Sequence, residues 1–393
     1  MSKRWSYITR PILLLSGVSL FTDMASEMLY PIMPVYLESI GFSVLLIGIL
    51  EGLAETTAGL SKGYFGQLSD LRGSRLPFIR LGYTLSALSK PLLAVSVWPL
   101  WVFGARTVDR LGKGVRTGAR DAMLSDQSDP EYRARVFGFH RGMDTLGAVI
   151  GPLLALWYLQ KHPDDYQTLF LLAFGPGAMS ILLLYLLREK KKEVQQVRPG
   201  LFDFLKYWKD SPSAYRHLLA GLLLFALFNS SDVLLLLRIK ESGWSDAAVI
   251  GVYIFYNLVY AIGAFPAGWV ADKLGIKRTF LTGLLLYILV YVGFAVVSGG
   301  TWYWGLFFLY GLYAAATEGI SKAWITLRVP KEETATAVGL YASLNSMAAL
   351  FASSAAGLIW WQAGPGWAFG TTACMALAAF SYLLMTKENT NIA

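Results

Sequence analysis

The chain has 393 residues, of which 55% are hydrophobic and only 15% charged, with a net charge of +8. That balance, with a mean hydropathy of +0.47, excludes an ordinary soluble protein. The excess Lys and Arg falls in short loops between apolar runs, which excludes a continuous nucleic-acid surface and fits the positive-inside pattern of a membrane protein. The single cysteine, Cys374, lies in an apolar run, so neither an intrachain disulfide nor a cysteine metal site is available.

Taken in order, the sequence opens on a basic, polar stretch, Met1 to Arg10, with no small-residue cleavage site behind it. The apolar run that follows therefore reads as a retained first helix. Twelve segments of roughly 20 residues or more follow, each long enough to cross a bilayer core. They are expected at 11–37, 44–68, 76–95, 97–119, 134–159, 166–188, 215–239, 246–270, 278–298, 302–327, 333–361 and 366–386. Arg72, Arg75 and Arg80 occupy the second inner loop, and Lys273, Lys277, Arg278, Arg328, Lys331 and Lys387 occupy later ones. Connections on the opposite side, such as 38–43 and 95–99, are short and nearly uncharged. Both termini are thus expected in the cytoplasm. The longest polar stretch, from Arg188 to Pro212, reads as a linker between two six-helix halves, 1–188 and 214–393, with 189–213 between them.

The halves echo one another. Gly66-Gln67-Leu68-Ser69-Asp70-Leu71-Arg72-Gly73-Ser74-Arg75 returns as Gly268-Trp269-Val270-Ala271-Asp272-Lys273-Leu274-Gly275-Ile276-Lys277-Arg278. Each copy has a Gly four residues before an Asp, another Gly three residues after it, and basic residues beyond. Such parts suit a tight basic turn between spanning helices: Gly permits the turn and close helix approach, and Asp can bond free backbone N–H groups. Pro130…Gly138…Asp144 is likewise echoed by Pro330…Gly339…Asn345. Two copies separated by half the chain imply duplicated halves.

With these paired loops the chain resembles the major facilitator superfamily of secondary transporters over essentially its whole length. In the fifth span, Gly138, Gly147 and Gly151-Pro152 are similar to the helix-five signature of the family's proton antiporters, although Ala155 stands near the usual next glycine. Arg106 resembles the family's fourth-helix arginine, followed here by Asp109-Arg110. The resemblance implies an all-α membrane protein with twelve helices in two pseudo-symmetric six-helix halves. It also implies an alternating-access mechanism in which the loop residues Gly66, Asp70, Gly73 and Arg75, with Gly268, Asp272 and Gly275, form a gating seam. Asp121, just past span four, is the carboxylate expected to pair with that loop.

Ionisable side chains inside spans are costly and therefore need a partner, a wet cavity or a function. Asp23 and Glu27 share one face of span one by their i, i+4 spacing, as Glu51 and Glu55 do in span two. With about 1.5 Å of rise per residue, Glu27 lies about 15 Å and Arg106 about 14 Å from the outer ends of their spans. Asp23 and Glu27 are thus expected to face Arg106 and Arg110. This set, extended by Asp109, His140 and Asp144, is the candidate for proton coupling and transport; a buried structural pairing is the competing reading. Glu51 and Glu55 match Lys90 in depth and are read as a structural set. In the second half, Asn229, Asp232, Tyr256 and Asn257 are candidate cavity residues, and Glu318 and Lys322 form a further i, i+4 pair.

No His-Glu-x-x-His, cysteine nucleophile or histidine cluster is present, so an enzyme is not expected, nor a metal or other cofactor. The expectation is a monomeric, proton-driven exporter of a small organic molecule in a bacterial inner membrane, powered by the proton gradient, with the bilayer, protons and the solute as its partners and no nucleic acid. An importer or symporter, a divalent-metal exporter using Asp23, Glu27, Asn229 and Asp232, and a lipid flippase of the same fold remain as alternatives.

Overall fold

A computed structural model of the protein describes residues 7–30, 32–189, 199–297 and 299–386, without the side chains of 34, 35, 38, 44–53, 246 and 247. The side chain of Glu51 and much of the expected linker thus lie outside the described residues. The described part is helical, and the chain divides into two compact units.

Unit 1 comprises Met1–Asp129, Met143–Lys209 and Pro330–Ser343. Its helices are α1 (Arg10–Glu27), α2 (Met33–Ser39), α3 (Val44–Leu71), α4 (Leu76–Val95), α5 (Pro99–Asp126), most of α6 (Arg133–Lys161) and α7 (Tyr166–Tyr185). The short α8 (Tyr207–Asp210) belongs to it up to Lys209. α1, α4 and α5 each carry a proline in the first helical turn, where its missing N–H costs no hydrogen bond and its fixed φ suits the helix. α5 packs on α3 and α4, while α7 packs on α1 and α4. At one end a core forms around Tyr36, whose ring meets Phe170 edge-on at 4.8 Å, with Leu29, Leu37, Leu93 and Val102. Between membrane helices such close packing, not water exclusion, supplies the attraction.

Unit 2 comprises Pro130–Gly142, Asp210–Val329 and Leu344–Ala393. It holds α9 (Ser213–Ala226), α10 (Asp232–Glu241), α11 (Asp246–Leu274), α12 (Ile276–Val296), α13 (Trp302–Thr326), most of α14 (Thr334–Ala363) and α15 (Pro365–Met385). Its interior is aromatic: Tyr287 stacks on Tyr291 at 4.2 Å and lies 4.8 Å from Tyr313 and 5.0 Å from Phe225. Such offset and edge contacts add about 0.5–1.5 kcal/mol per pair beyond burial.

Each expected span is helical, but two are interrupted. The first stops at Glu27 and resumes at Met33, and the seventh stops at Ala226 and resumes at Asp232. Ser231 caps the resumed helix, accepting the Val233 N–H at 3.3 Å. Among the described residues six helical segments are both long and apolar enough to cross a membrane: those ending α6, α7, α11, α12, α14 and α15. Among the rest, α9 has only 14 residues, and α5 carries Arg106, Asp109, Arg110, Lys113, Arg116 and Arg120 along its length.

Candidate functional site

The repeated loops do matching work. In unit 1, Asp70 accepts the backbone N–H of Ala335 at 3.3 Å and of Thr336 at 2.5 Å, and the Thr336 hydroxyl at 2.6 Å. It thereby caps the N-terminus of α14, where an anion also meets the positive end of the helix dipole. Arg75 forms an ion pair with Asp70 and reaches the Lys331 carbonyl at 3.4 Å. In unit 2, Asp272 accepts the N–H groups of Ala134 at 2.9 Å and Arg135 at 3.1 Å, plus Nε of Arg135 at 2.7 Å, and so caps α6. The glycines divide their roles the same way. Gly73 and Gly275 turn the chain with φ of 58° and 104°. Gly66 abuts the Ala335 carbonyl and Gly339, and Gly268 abuts Ala134 and Arg135, leaving no room for a side chain.

The acid expected against this loop is Asp121, and a second acid of α5, Asp126, also comes near it. Asp121 is bound by Arg120, at 2.9 Å from Nε and 2.8 Å from Nη2, and Asp126 lies 3.7 Å from Arg75. Asp126 is one helical turn and a residue further along α5, which brings it to the helix end beside the loop.

Within unit 1 the intramembrane charges form two groups. The first is a carboxyl pair. Asp23 lies near enough to Asp144, Lys113 and Glu27 for their charges to act on it. Asp144 is buried and also accepts the Ser19 hydroxyl at 2.5 Å. Gly147 and Gly151 make this contact possible: they lie against the backbone of α1 at Leu20 and Met24, so α6 and α1 touch directly.

The second group is centred on α5. Lys90 donates to Asp109 at 2.6 Å and to Ser26 at 3.1 Å. Glu55 lies 3.5 Å from Arg110 and 3.8 Å from Lys62, within charge reach of Arg106 and Lys113. Of the expected set Glu51, Glu55 and Lys90, Lys90 thus pairs with Asp109 and Glu55 with Arg110 and Lys62, while the side chain of Glu51 lies outside the described residues. Depth along a helix sets the level of a residue but not its azimuth, and at this level Asp109 turns towards α4 while Arg110 turns towards α3.

In unit 2, Glu318, expected as the i, i+4 partner of Lys322, binds Arg141 Nη2 at 2.6 Å. Arg141 also bonds the Tyr260 hydroxyl at 2.5 Å. His140 is buried in the first turns of α6. Asp232 accepts from Tyr256 at 2.9 Å at the start of α10, and buried Asn257 donates to the Tyr253 carbonyl at 3.0 Å. Asn229 lies in the break before α10. Among the described residues no group of three or more His, Cys, Asp or Glu side chains is arranged to hold a metal ion.

One residue escaped the sequence reading. Glu189, first in the expected linker, accepts the N–H groups of Arg75 and Leu76 at 2.8 Å each and the Ser74 hydroxyl at 3.1 Å, so it caps α4 from 114 residues away. Local capping signatures cannot reveal a cap supplied from so far along the chain.

The chain matches the Major Facilitator Superfamily over residues 15–351 and again over 219–392. An uncharacterised MFS-type transporter of Methanocaldococcus jannaschii is 31% identical over 359 residues, 90% of this chain and 89% of that one. The multidrug resistance protein MdtH of Cronobacter sakazakii is 26% identical over 274 residues, 66% of this chain and 64% of that one. Among solved structures, the human organic anion transporter MFSD10 superposes with a TM-score of 0.82 at 18% identity, covering 95% of this chain and 99% of that one. The transporter FucP in its outward conformation superposes at 0.79 and 12% identity, covering 98% and 100%. The chain belongs to the Major Facilitator Superfamily, a family of transporters and not of enzymes, and it is an all-α, multi-pass membrane protein.

Proposed function

We propose that the chain couples the movement of a small organic solute to protons by alternating access, and that the proton is carried by the Asp23–Asp144 pair. The carrying observation is the contact of α6 with the face of α1 that bears Asp23: Asp144 accepts the hydroxyl of Ser19, one turn before Asp23, at 2.5 Å. Two carboxylates brought to one face of a helix repel each other when both are ionised, so the approach of Asp144 to this face favours one proton held between the pair. Ser19 orients Asp144, and Lys113 is the nearby cation whose approach favours release of that proton. The scaffold in this reading is twelve spans in two halves, 1–188 and 214–393, joined by 189–213. It works as a monomer in a bacterial inner membrane, with both termini in the cytoplasm and Asp70, Arg75 and Asp272 in the gating loops.

An organic cargo is supported by the relatives, whose names state an organic anion, fucose or drugs. Symport has the support of the fucose:proton symporter of the same fold, and export that of the multidrug resistance relative. One experiment decides between them. Proteoliposomes carrying an imposed pH gradient are screened with labelled sugars, organic anions and drug-like solutes. A solute that accumulates where protons arrive establishes symport, and one that accumulates where protons leave establishes export. Asp144→Asn should keep counterflow of that solute and lose its uphill movement. Retained uphill movement in this variant rejects the pair as the proton carrier.

A further inference from the structure

Unit 2 contains a cavity of about 500 Å³ at the bundle end that carries its basic loops, between the start of α9 and the ends of α13 and α15. Its wall divides into two chemistries. Arg328, His217 and Ser213 form a polar, basic part, and Leu218, Trp324 and Tyr382 an apolar one. No Asp or Glu is among the described lining residues. Just behind it, Lys277 donates to the Leu384 and Thr386 carbonyls at 3.0 and 2.6 Å, which adds a second fixed positive charge at the closing end of α15. His217 is oriented through Nδ1, 2.8 Å from the Ser213 carbonyl, so its other ring nitrogen is available to a ligand. The apolar side continues outwards as exposed surface, with Leu384 55% and Met385 82% accessible.

We infer that this cavity binds an acidic phospholipid, with the phosphodiester headgroup held by Arg328 and His217 and an acyl chain lying along Leu218, Tyr382 and Met385. The combination is what such a ligand requires. A guanidinium and an imidazole bind phosphate oxygens by charge-assisted hydrogen bonds, and an apolar channel opening sideways accepts a chain that a soluble anion lacks. The cytoplasmic leaflet holds most of the acidic lipid facing basic loops, so the inference rests on the orientation proposed above.

Thermal unfolding of the purified full-length protein in neutral detergent tests the site without reference to orientation. Added phosphatidylglycerol should raise the melting temperature by roughly 3 °C or more, while phosphatidylcholine and inorganic phosphate should not. Arg328→Gln should lose the rise. Ala214→Trp, which fills the cavity and leaves Arg328 in place, should lose it too and serves if Arg328→Gln does not fold. An equal rise with phosphatidylcholine, or a rise retained by both variants, overturns the inference. A rise given by inorganic phosphate alone assigns the site to a soluble anion and overturns the lipid. A rise that appears only after removal of residues 387–393 assigns the cavity to the chain's own C-terminus and likewise overturns it. Orientation is read separately, by labelling Ser213→Cys, with Cys374→Ala in the same chain, from either side of sealed vesicles, so failure of that reading and failure of the lipid site give different results.

Discussion

The carboxylate of Asp70 and the first turn of α14 at Thr336 are joined by two short hydrogen bonds, from the Thr336 N–H at 2.5 Å and its hydroxyl at 2.6 Å. Asp272 stands in the same relation to Ala134 at the start of α6. The two caps connect residues 266 and 138 positions apart in sequence. Both capped helices begin in one compact unit and end in the other. A carboxylate that holds a helix by its end is a contact that can be made and broken without disturbing the helix itself, which suits a gating seam.

Asp70→Asn should therefore leave the protein inserted and helical but slow transport. The substitution keeps one acceptor oxygen and removes the charge, which weakens the cap, the dipole interaction and the pairing with Arg75 together. A loss of about 1.4 kcal/mol confined to one state of the cycle changes a rate about tenfold. Uptake into vesicles at matched protein levels is the measurement, and a wild-type rate in Asp70→Asn rejects the gating role.

Lys90 and Asp109 offer a test of structure against function. Lys90 is buried, and its ammonium group is held by Asp109 and Ser26. Removing one member of a buried ion pair leaves an uncompensated charge and costs about 3–5 kcal/mol, whereas removing both is often close to neutral. Lys90→Met should lower the melting temperature in detergent by several degrees, and Lys90→Met with Asp109→Asn should recover most of it while keeping transport. If the double variant is stable and inactive, this pair carries part of the coupling chemistry.

The sequence made most helices legible because their apolar runs are long and bounded. The expected 76–95 and the observed Leu76–Val95 coincide, and the expected 246–270 falls within Asp246–Leu274. The two interruptions were harder to read. Leu227 and Phe228 continue an apolar run, and only Asn229-Ser230-Ser231 betrays the break, as residues that prefer caps to helix interiors. Pairing was the least legible part. Glu55, Lys90, Asp109 and Arg110 were placed at their depths by the helical rise, yet the partner of each depends on helix rotation, which no spacing rule supplies. Asp23 and Asp144, 121 positions apart by their numbers, meet only because glycines of α6 fit against α1.

The glycine series of α6 yields a steric prediction. Gly138 and Gly142 lie against the Ala264 and Ala261 carbonyls of α11, and Gly147 and Gly151 against α1. Gly104, in α5, has no atom near where a side chain would begin. Gly147→Val should lower the melting temperature by several degrees, as overpacking of a close contact costs about 1–3 kcal/mol. Gly104→Val should change it little. Equal effects at the two positions would show that helix propensity and not the α1 contact sets the cost.

The carboxyl pair makes the sharpest claim, because a shared proton has a signature that two independent acids lack. If Asp23 and Asp144 hold one proton between them, neither can hold it in the same way alone, and their removal cannot be additive. Asp23→Asn, Asp144→Asn and the double variant should all lose pH-driven accumulation to the same extent, with counterflow kept in each. Proton release on solute binding, followed with a pH dye in weakly buffered detergent, should be present in the wild type and absent from all three. Ser19→Ala removes the hydroxyl that Asp144 accepts at 2.5 Å but neither carboxyl group. It should therefore keep the released proton while slowing accumulation. Two single variants that each retain part of the proton release, with only the double variant losing it, would establish two separate acids. The proton would then travel without the pair.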